Sequence, residues 1–181
     1  MYLVDSLIWV DISSDTVCRW CCVGKKNLGR AISMARGRFD FEVHWHPFFL
    51  NPTAPNEGMD KREYYRNKFR ARVERIAARM HEVLFMLGLE YNMSGLTGNT
   101  MDSHRLINYA GKLGPEKQHQ LVEKLFLGYF NILVTKAFLV EAADKVGIAG
   151  AAEFFDDPNN GIQEVKEDFA RYSSKISGVP H

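Results

Sequence analysis

The sequence has almost no excess charge of either sign, since 23 lysines and arginines stand against 22 aspartates and glutamates in 181 residues. A net charge of +1 gives no extended field of one sign, which argues against nucleic acid or an anionic membrane as the main partner. The sequence also lacks any run of about 20 apolar residues, the length that spans a bilayer as a helix. These absences predict a protein that recognises its partners by shape and local chemistry.

Cysteine is scarce, and its placement excludes a disulfide framework of the secreted kind. The chain has three cysteines, Cys18, Cys21 and Cys22, all within five positions. The first nine residues lack a basic segment, and Asp5 lies within them, so we expect no signal peptide. The sequence therefore predicts a cytoplasmic protein, in which a Cys-x-x-Cys pair is more often catalytic or metal-binding than structural.

Cys18 and Cys21 lie between a predicted strand and a predicted helix. An apolar run over residues 7–12 precedes them, and residues 13–16 are rich in helix-capping types, so Asp15 or Thr16 is expected to cap the helix. A helix N-terminus favours a thiolate, which suits Cys18 as an attacking nucleophile. Cys21, one turn later, could close a small disulfide ring. The pattern predicts a site of thiol-disulfide exchange.

A metal site is the alternative use of such a pair. Structural zinc needs four ligands, and the sequence has no second Cys-x-x-Cys. His44 and His46 could contribute, but alternating polar residues on a half-exposed strand explain them more simply. We therefore predict no metal. Cys22 is expected to be a small buried hydrophobe, with interference in the disulfide chemistry as the other interpretation.

The order of elements predicts an α/β protein. A strand, a helix to about Ala35 and a second strand over residues 39–49 should form a parallel pair with a right-handed crossover. From Asp60 the pattern is helical, beginning with one long amphipathic helix that ends at Gly88 and continuing with shorter helices, one of them reaching about Phe130. The methionine, phenylalanine and tyrosine stripes of these helices are expected to be core.

Several longer motifs resemble the DsbA-like thioredoxin family, in particular its cytoplasmic FrnE-type branch. They are residues 14–18 with 20–21 and 23–25, 47–52, 93–100, 102–106 and 176–180. The resemblance implies a thioredoxin-like fold with a large all-helical insertion. It divides the chain into residues 1–59 (the N-terminal half with the dithiol), 60–175 (the insertion) and 176–181 (the start of the C-terminal half).

The sequence departs from the family pattern at three places. Arg19 stands where proline usually follows the first cysteine, and its charge should lower the pKa of Cys18. Cys22 replaces a bulky residue. Val179-Pro180 matches the cis-proline that faces the dithiol and shapes the substrate groove, yet the sequence stops at His181. We therefore expect a truncated member that lacks the C-terminal strands and helix of the thioredoxin core and has a half-built groove.

The resemblance also implies roles for other residues. Trp20 would pack over the dithiol as a contact surface, with core filling equally expected. Asn51, Ser103 and His104 lie in motifs near the active site of glutathione-using relatives. For these three, a turn asparagine, a helix-start serine and a solvated histidine are the favoured interpretations. No bound cofactor is expected, although glutathione could serve as redox partner.

Three functions stay open at this point. The leading hypothesis is a thiol-disulfide oxidoreductase with Cys18 and Cys21 as catalytic residues, acting on protein or glutathione disulfides. The second is a glutathione-dependent isomerase or transferase of the same fold, against which Cys18 argues because such enzymes typically carry serine there. The third is a truncated isoform with weak or no catalysis. The oligomeric state is not predicted.

Overall fold

The computed structural model describes residues 7–129 and 135–181. Residues 1–6, which entered the argument against a signal peptide, lie outside this part. Phe130, the expected end of one of the shorter helices, also lies outside it. No helix of the described ranges is both long and apolar enough to cross a membrane.

The N-terminal part is a β-α-β unit, as the sequence predicts. Strand β1 (Leu7–Ser14), helix α1 (Arg19–Ala35) and strand β2 (Asp40–Pro47) follow one another, and the two strands pair in parallel from Leu7 opposite Asp40 to Ser14 opposite Pro47. The second strand is shorter at both ends than the expected residues 39–49. The apolar positions of β1, such as Val10 and Ile12, pack against the core with their partners on β2.

The outer edge of β2 is completed by a side chain instead of a third strand. Gln118 accepts a hydrogen bond from the Trp45 backbone N–H at 2.9 Å and donates to the Trp45 carbonyl at 3.1 Å. Because a buried backbone group without a partner is costly, this amide takes the place that a neighbouring strand would fill. Gln118 belongs to helix α5 (Pro115–Tyr129), so it also fixes that helix against the sheet.

The region after β2 differs from the single long helix that the sequence predicts. Helix α2 (Lys61–Phe69) ends in a short 3₁₀ turn (Arg70–Arg72), and helix α3 (Val73–Met86) follows. The break falls at Arg70, whose φ of 49° is left-handed and incompatible with a continuous α-helix. Two short strands, β3 (Met59–Asp60) before α2 and β4 (Leu96–Thr97) after α3, pair antiparallel and so join the two ends of this region.

The remaining helices agree in place and type with the sequence pattern. They are α4 (Met101–Lys112), α5, α6 (Lys136–Lys145), α7 (Ala151–Asp156) and α8 (Ile162–Asp168), which continues as a π-helical turn (Phe169–Ser173). One continuous hydrophobic core joins them to the β-α-β unit, because Cys21 and Trp45 belong to the same buried cluster as Leu106 and Leu125. The fold is thioredoxin-like with a helical insertion, and the boundaries at residues 59 and 175 remain a prediction.

A buried histidine joins the sheet to the last helix. His46 on β2 lies between Asp11 on β1 at 2.9 Å and Asp168 on α8 at 2.8 Å, and its ring stacks on Tyr172. Burial opposes the charged imidazole, but the two carboxylates outweigh it and raise the pKa of His46 above its ordinary value. The sequence interpretation of His46 as a half-exposed strand residue is therefore wrong.

Candidate active site

The dithiol lies at the start of α1, where Cys18 is the N-cap residue. Cys18 donates its backbone N–H to the Asp15 carbonyl at 2.9 Å, and the Cys21 N–H donates to the Cys18 carbonyl at 3.1 Å. The expected caps are wrong, since α1 has no side-chain cap. The Asp15 carboxylate instead accepts from the Leu50 backbone N–H at 2.7 Å. Thr16 bonds to Ser103 at 2.8 Å. No side chain therefore competes with the sulfur of Cys18 for the N–H groups at the helix start.

The pKa values of the two thiols are shifted in opposite directions. A hydrogen bond from the Cys21 thiol, which outweighs burial, holds the pKa of Cys18 below its ordinary value, and the backbone N–H groups of Cys21 and Trp20 add to this effect. The same hydrogen bond, together with burial and the negative charge of Cys18, raises the pKa of Cys21 far above its ordinary value. The hydrogen bond between the two sulfurs therefore favours one proton on Cys21 and the negative charge on Cys18.

Cys22 is chemically separate from this pair, although it is the next residue. Its side chain is buried, and burial raises the pKa of its thiol to about 11. The charged groups that act on it are Lys26, Lys25 and Arg19 of α1 and Glu123 of α5. A buried thiol in such surroundings stays protonated and unreactive, in agreement with its expected packing role.

Val179 and Pro180 lie opposite the dithiol, and the peptide bond between them is cis. The Cys18 sulfur is 3.7 Å from the Val179 carbonyl oxygen. Pro180 packs over α1, because a Cβ atom added at Gly24 would lie 3.5 Å from the proline Cβ. The next residue, His181, exchanges two backbone hydrogen bonds with Ser13 on β1, at 3.0 and 3.3 Å. The C-terminal residues thus form one side of the site.

A cleft of about 280 Å³ opens beside Cys18. Its lining is mostly apolar or aromatic and comes from α1, α2, α3, the loop after α3 and the C-terminal residues. The lining side chains include Trp20, Leu50, Tyr65, Phe69, Val73, Ile76, Met80, Tyr91, Met93 and Val179. Part of the stripe that the sequence assigns to the core therefore faces this cleft. The chain leaves these side chains uncovered next to its reactive sulfur, which makes the cleft a candidate substrate site.

Arg19 and Trp20, between the two cysteines, both border the cleft but differ in burial. Trp20 is 43% exposed and lines the cleft, so it forms contact surface instead of core. Arg19 is only 6% exposed and donates a hydrogen bond from Nη2 to the Asn92 carbonyl at 2.6 Å. The leading causes of the low pKa of Cys18 do not include Arg19, so the geometry gives this residue a different task from the expected pKa tuning.

Ser103 and His104 are buried against Thr16 and Asp15, just before the dithiol, whereas Asn51 forms a turn. His104 lies 3.0 Å from the Phe48 carbonyl and 3.7 Å from the Asp15 carboxylate, so it is not the solvated histidine of the sequence interpretation. Ser103 donates to the Thr100 carbonyl at 2.8 Å in the first turn of α4. Asn51 accepts from the Thr53 hydroxyl at 3.1 Å. None of the three lines the cleft beside Cys18.

The two histidines considered as metal ligands are held by carboxylates. His44 lies 2.8 Å from Glu42, and both ring nitrogens of His46 bond to aspartates. Within residues 7–129 and 135–181, no three histidine, cysteine, aspartate or glutamate side chains converge as a metal site would require. The absence of a metal remains a prediction.

A model of the DsbA-like thioredoxin domain matches residues 9–181. The chain belongs to this family. Among solved structures, it resembles a probable DsbA oxidoreductase from Streptomyces coelicolor, with a TM-score of 0.81 and 26% identity over 95% of this chain and 78% of the other. No curated protein is significantly similar to it.

A second solved structure shares the fold at lower identity. The cytosolic disulfide reductase DsbM from Pseudomonas aeruginosa has a TM-score of 0.54 and 18% identity over 90% of this chain and 75% of its own. A structure of DsbM with GSH has a TM-score of 0.53 and 17% identity over 96% and 84%.

Sequence reasoning missed two parts of the site. The buried position of Asp15 was not expected, because its place before a helix is also typical of a cap. The cleft-lining role of Tyr91 and Met93 was missed too, since they lie in a loop without periodicity.

Proposed function

We propose that this protein is a thiol-disulfide oxidoreductase in which Cys18 attacks and Cys21 resolves. The observation that supports this most directly is the shared proton: the Cys21 thiol donates to Cys18 and so lowers the pKa of one sulfur at the expense of the other. A thiolate at a helix start, beside an apolar cleft, is what a disulfide substrate requires.

The same hydrogen bond accounts for the order of the steps. The Cys18 thiolate attacks one sulfur of a substrate disulfide, a mixed disulfide forms, and the other substrate sulfur leaves as a thiolate. Cys18 then has no charge and accepts no hydrogen bond, so two of the three largest causes that raise the pKa of Cys21 disappear. Cys21 loses its proton and attacks Cys18, which releases the second substrate thiol. The substrate gains two electrons and the protein ends as the Cys18–Cys21 disulfide.

Glutathione is proposed as a redox partner. One molecule of the reduced tripeptide attacks the Cys18–Cys21 disulfide and forms a mixed disulfide with one cysteine, while the other cysteine leaves as a thiolate. A second molecule attacks the glutathione sulfur of that mixed disulfide, which releases oxidised glutathione and restores the dithiol. The DsbM structure with GSH supports this part of the proposal only through the shared fold. A cytoplasmic location and the FrnE-type branch remain predictions from the sequence.

The first test is a redox titration against glutathione buffers, with the oxidation state of each cysteine determined by alkylation and mass spectrometry. We expect one two-electron transition confined to Cys18 and Cys21, and a loss of disulfide exchange of about 10³-fold or more in Cys18→Ser, because the nucleophile is gone. Cys22→Ala is the matched control and should titrate as the unaltered chain does. Equal activity of Cys18→Ser, or disulfides scrambled across all three cysteines, would contradict the proposal.

A further inference from the structure

The buried guanidinium of Arg19 has no part in the exchange steps above, although it stands between the two cysteines. It is the first residue of α1, so its backbone is fixed by the same turn that presents Cys18. Burying an arginine costs free energy unless its charge and donors are used. The role of the Arg19 side chain can therefore be inferred from the groups that contact it.

Two of those groups belong to the segment that follows α3. Nη2 of Arg19 donates to the Asn92 carbonyl at 2.6 Å, and the centre of the guanidinium lies 4.8 Å from the centroid of the Tyr91 ring. A charged donor on a carbonyl and a planar cation over an aromatic face are both stronger than their neutral counterparts. Arg19 thus holds residues 91 and 92 against the start of α1.

The charge of Arg19 also reaches the start of α2. Burial and the Arg19 charge together lower the pKa of the fully buried Lys61 to about 8. Lys61 donates its backbone N–H to the Gly95 carbonyl at 3.0 Å, so it is joined to the same loop. The guanidinium therefore lies where the first turn of α1, the first turn of α2 and the loop after α3 converge.

The side of this loop that faces the cleft is formed by an aromatic and an apolar side chain. Tyr91 and Met93 line the cleft together with Cys18 and Trp20, while Ile76 forms part of the wall from α3. Arg19 also borders the cleft, but its side chain is only 6% exposed. With its Nη2 on Asn92, Arg19 supports the loop, and the loop presents apolar surface to the reacting sulfur. A wall of this kind favours a disulfide with apolar or aromatic groups beside it.

We propose that Arg19 is a positioning residue for substrate selection: it holds residues 91–93 as an apolar wall beside Cys18, and the protein consequently prefers disulfides flanked by aromatic or large apolar groups. This inference rests on the proposed oxidoreductase function. Lysine cannot replace Arg19 fully, because an ammonium group cannot stack on Tyr91 as a planar guanidinium does.

The test is a single-turnover reaction between the reduced chain and an excess of a symmetric peptide disulfide. Two capped tripeptides are compared, identical except that the cysteine is flanked by phenylalanine in one and by serine in the other. Each peptide disulfide is reduced to two peptide thiols while Cys18 and Cys21 become a disulfide. The measured quantities are the limiting rate constant and the half-saturating peptide concentration.

For the unaltered chain we expect a half-saturating concentration about tenfold lower for the phenylalanine peptide, which is about 1.4 kcal/mol. Arg19→Gln should reduce this preference to about threefold or less by raising that concentration, with little change in the limiting rate constant. Arg19→Lys should fall between the two. Arg30→Gln, which removes an exposed cation from the same helix, is the matched control and should behave as the unaltered chain does.

A second variant covers the case in which Arg19→Gln does not fold. Tyr91→Leu keeps an apolar side chain at the wall but removes the ring beneath the guanidinium, so it should also lose the preference. The inference is overturned if these variants retain the preference, or if they slow both peptides equally through the limiting rate constant alone. Reaction without preference in the unaltered chain overturns only this inference, whereas no oxidation of Cys18 and Cys21 by either peptide overturns the proposed function as well.

Discussion

The two sides of the dithiol are built differently. On one side lie the strands with α4, α5 and α8, which we call the base; on the other lie α2, the 3₁₀ turn and α3, residues 61–86, which we call the arm. The base contains fully buried side chains such as Leu106 and Leu125, and specific polar contacts at Gln118 and His46. In the arm, the residues buried on α2 and α3 are Lys61, Met80 and Leu84.

This difference in burial indicates that the base and the arm have different roles. The base fixes α1 and with it the geometry of the two sulfurs, which the chemistry requires within narrow limits. The arm contributes apolar side chains that stay uncovered and form the cleft, so it stabilises the fold less. Arg19 connects the two, because it belongs to α1 yet holds the loop after α3.

The largest expected effect is on stability, and it compares one leucine of the base with one isoleucine of the arm. Leu106→Ala should lower the free energy of unfolding by about 3–5 kcal/mol, since it leaves a cavity in a fully buried position. Ile76→Ala removes a half-buried side chain that lines the cleft and should cost about 1 kcal/mol. Urea denaturation of both variants measures this, and equal losses would contradict the comparison.

A smaller effect on stability is expected at His46, through which the stability of the base should depend on pH. Because the folded protein raises the pKa of His46, the stabilisation by Asp11 and Asp168 is fully present below the unfolded value, about 6.5. It is lost as pH rises through the higher folded value. The stability difference between the unaltered chain and Asp168→Asn should therefore be largest below about pH 6.5 and shrink as the pH rises above it through the folded value.

The control for this measurement lies one residue away. Glu167→Gln removes an exposed carboxylate from the same helix and should give no difference of this kind. Thermal or urea denaturation across the pH range gives the comparison. A stability difference for Asp168→Asn that does not change with pH would show that the aspartate stabilises the fold without recognising the charge of His46.

The smallest expected effect concerns the reactivity of Cys18, which the base should control. In Cys21→Ala the hydrogen bond that is the leading cause of the low pKa of Cys18 is lost, so the midpoint of its alkylation by iodoacetamide should move to higher pH. Cys22→Ala is the matched control. The arm variant Ile76→Ala should also leave the midpoint in place. A shift in Ile76→Ala as large as that in Cys21→Ala would remove the distinction between base and arm.

Elements with local signals could be predicted from the sequence. The parallel pair of strands, the helix that carries the cysteines and its end at about Ala35 all follow from apolar spacing and local end signals. The break at Arg70 could not be predicted, because no proline or glycine marks it.

The candidate site likewise has features that local sequence predicts and features that only tertiary contacts fix. The sequence alone determined that Cys18 and Cys21 form a dithiol at a helix start, because spacing of three and a helix N-terminus are local properties. Tertiary structure decided the rest: the Val179 carbonyl beside Cys18, the burial of His104, and the turn of Arg19 toward Asn92. These contacts join residues 56 to 161 positions apart. Periodicity and spacing report only on neighbours in the chain, whereas the direction of a buried charge depends on which distant backbone carbonyl the fold brings within reach.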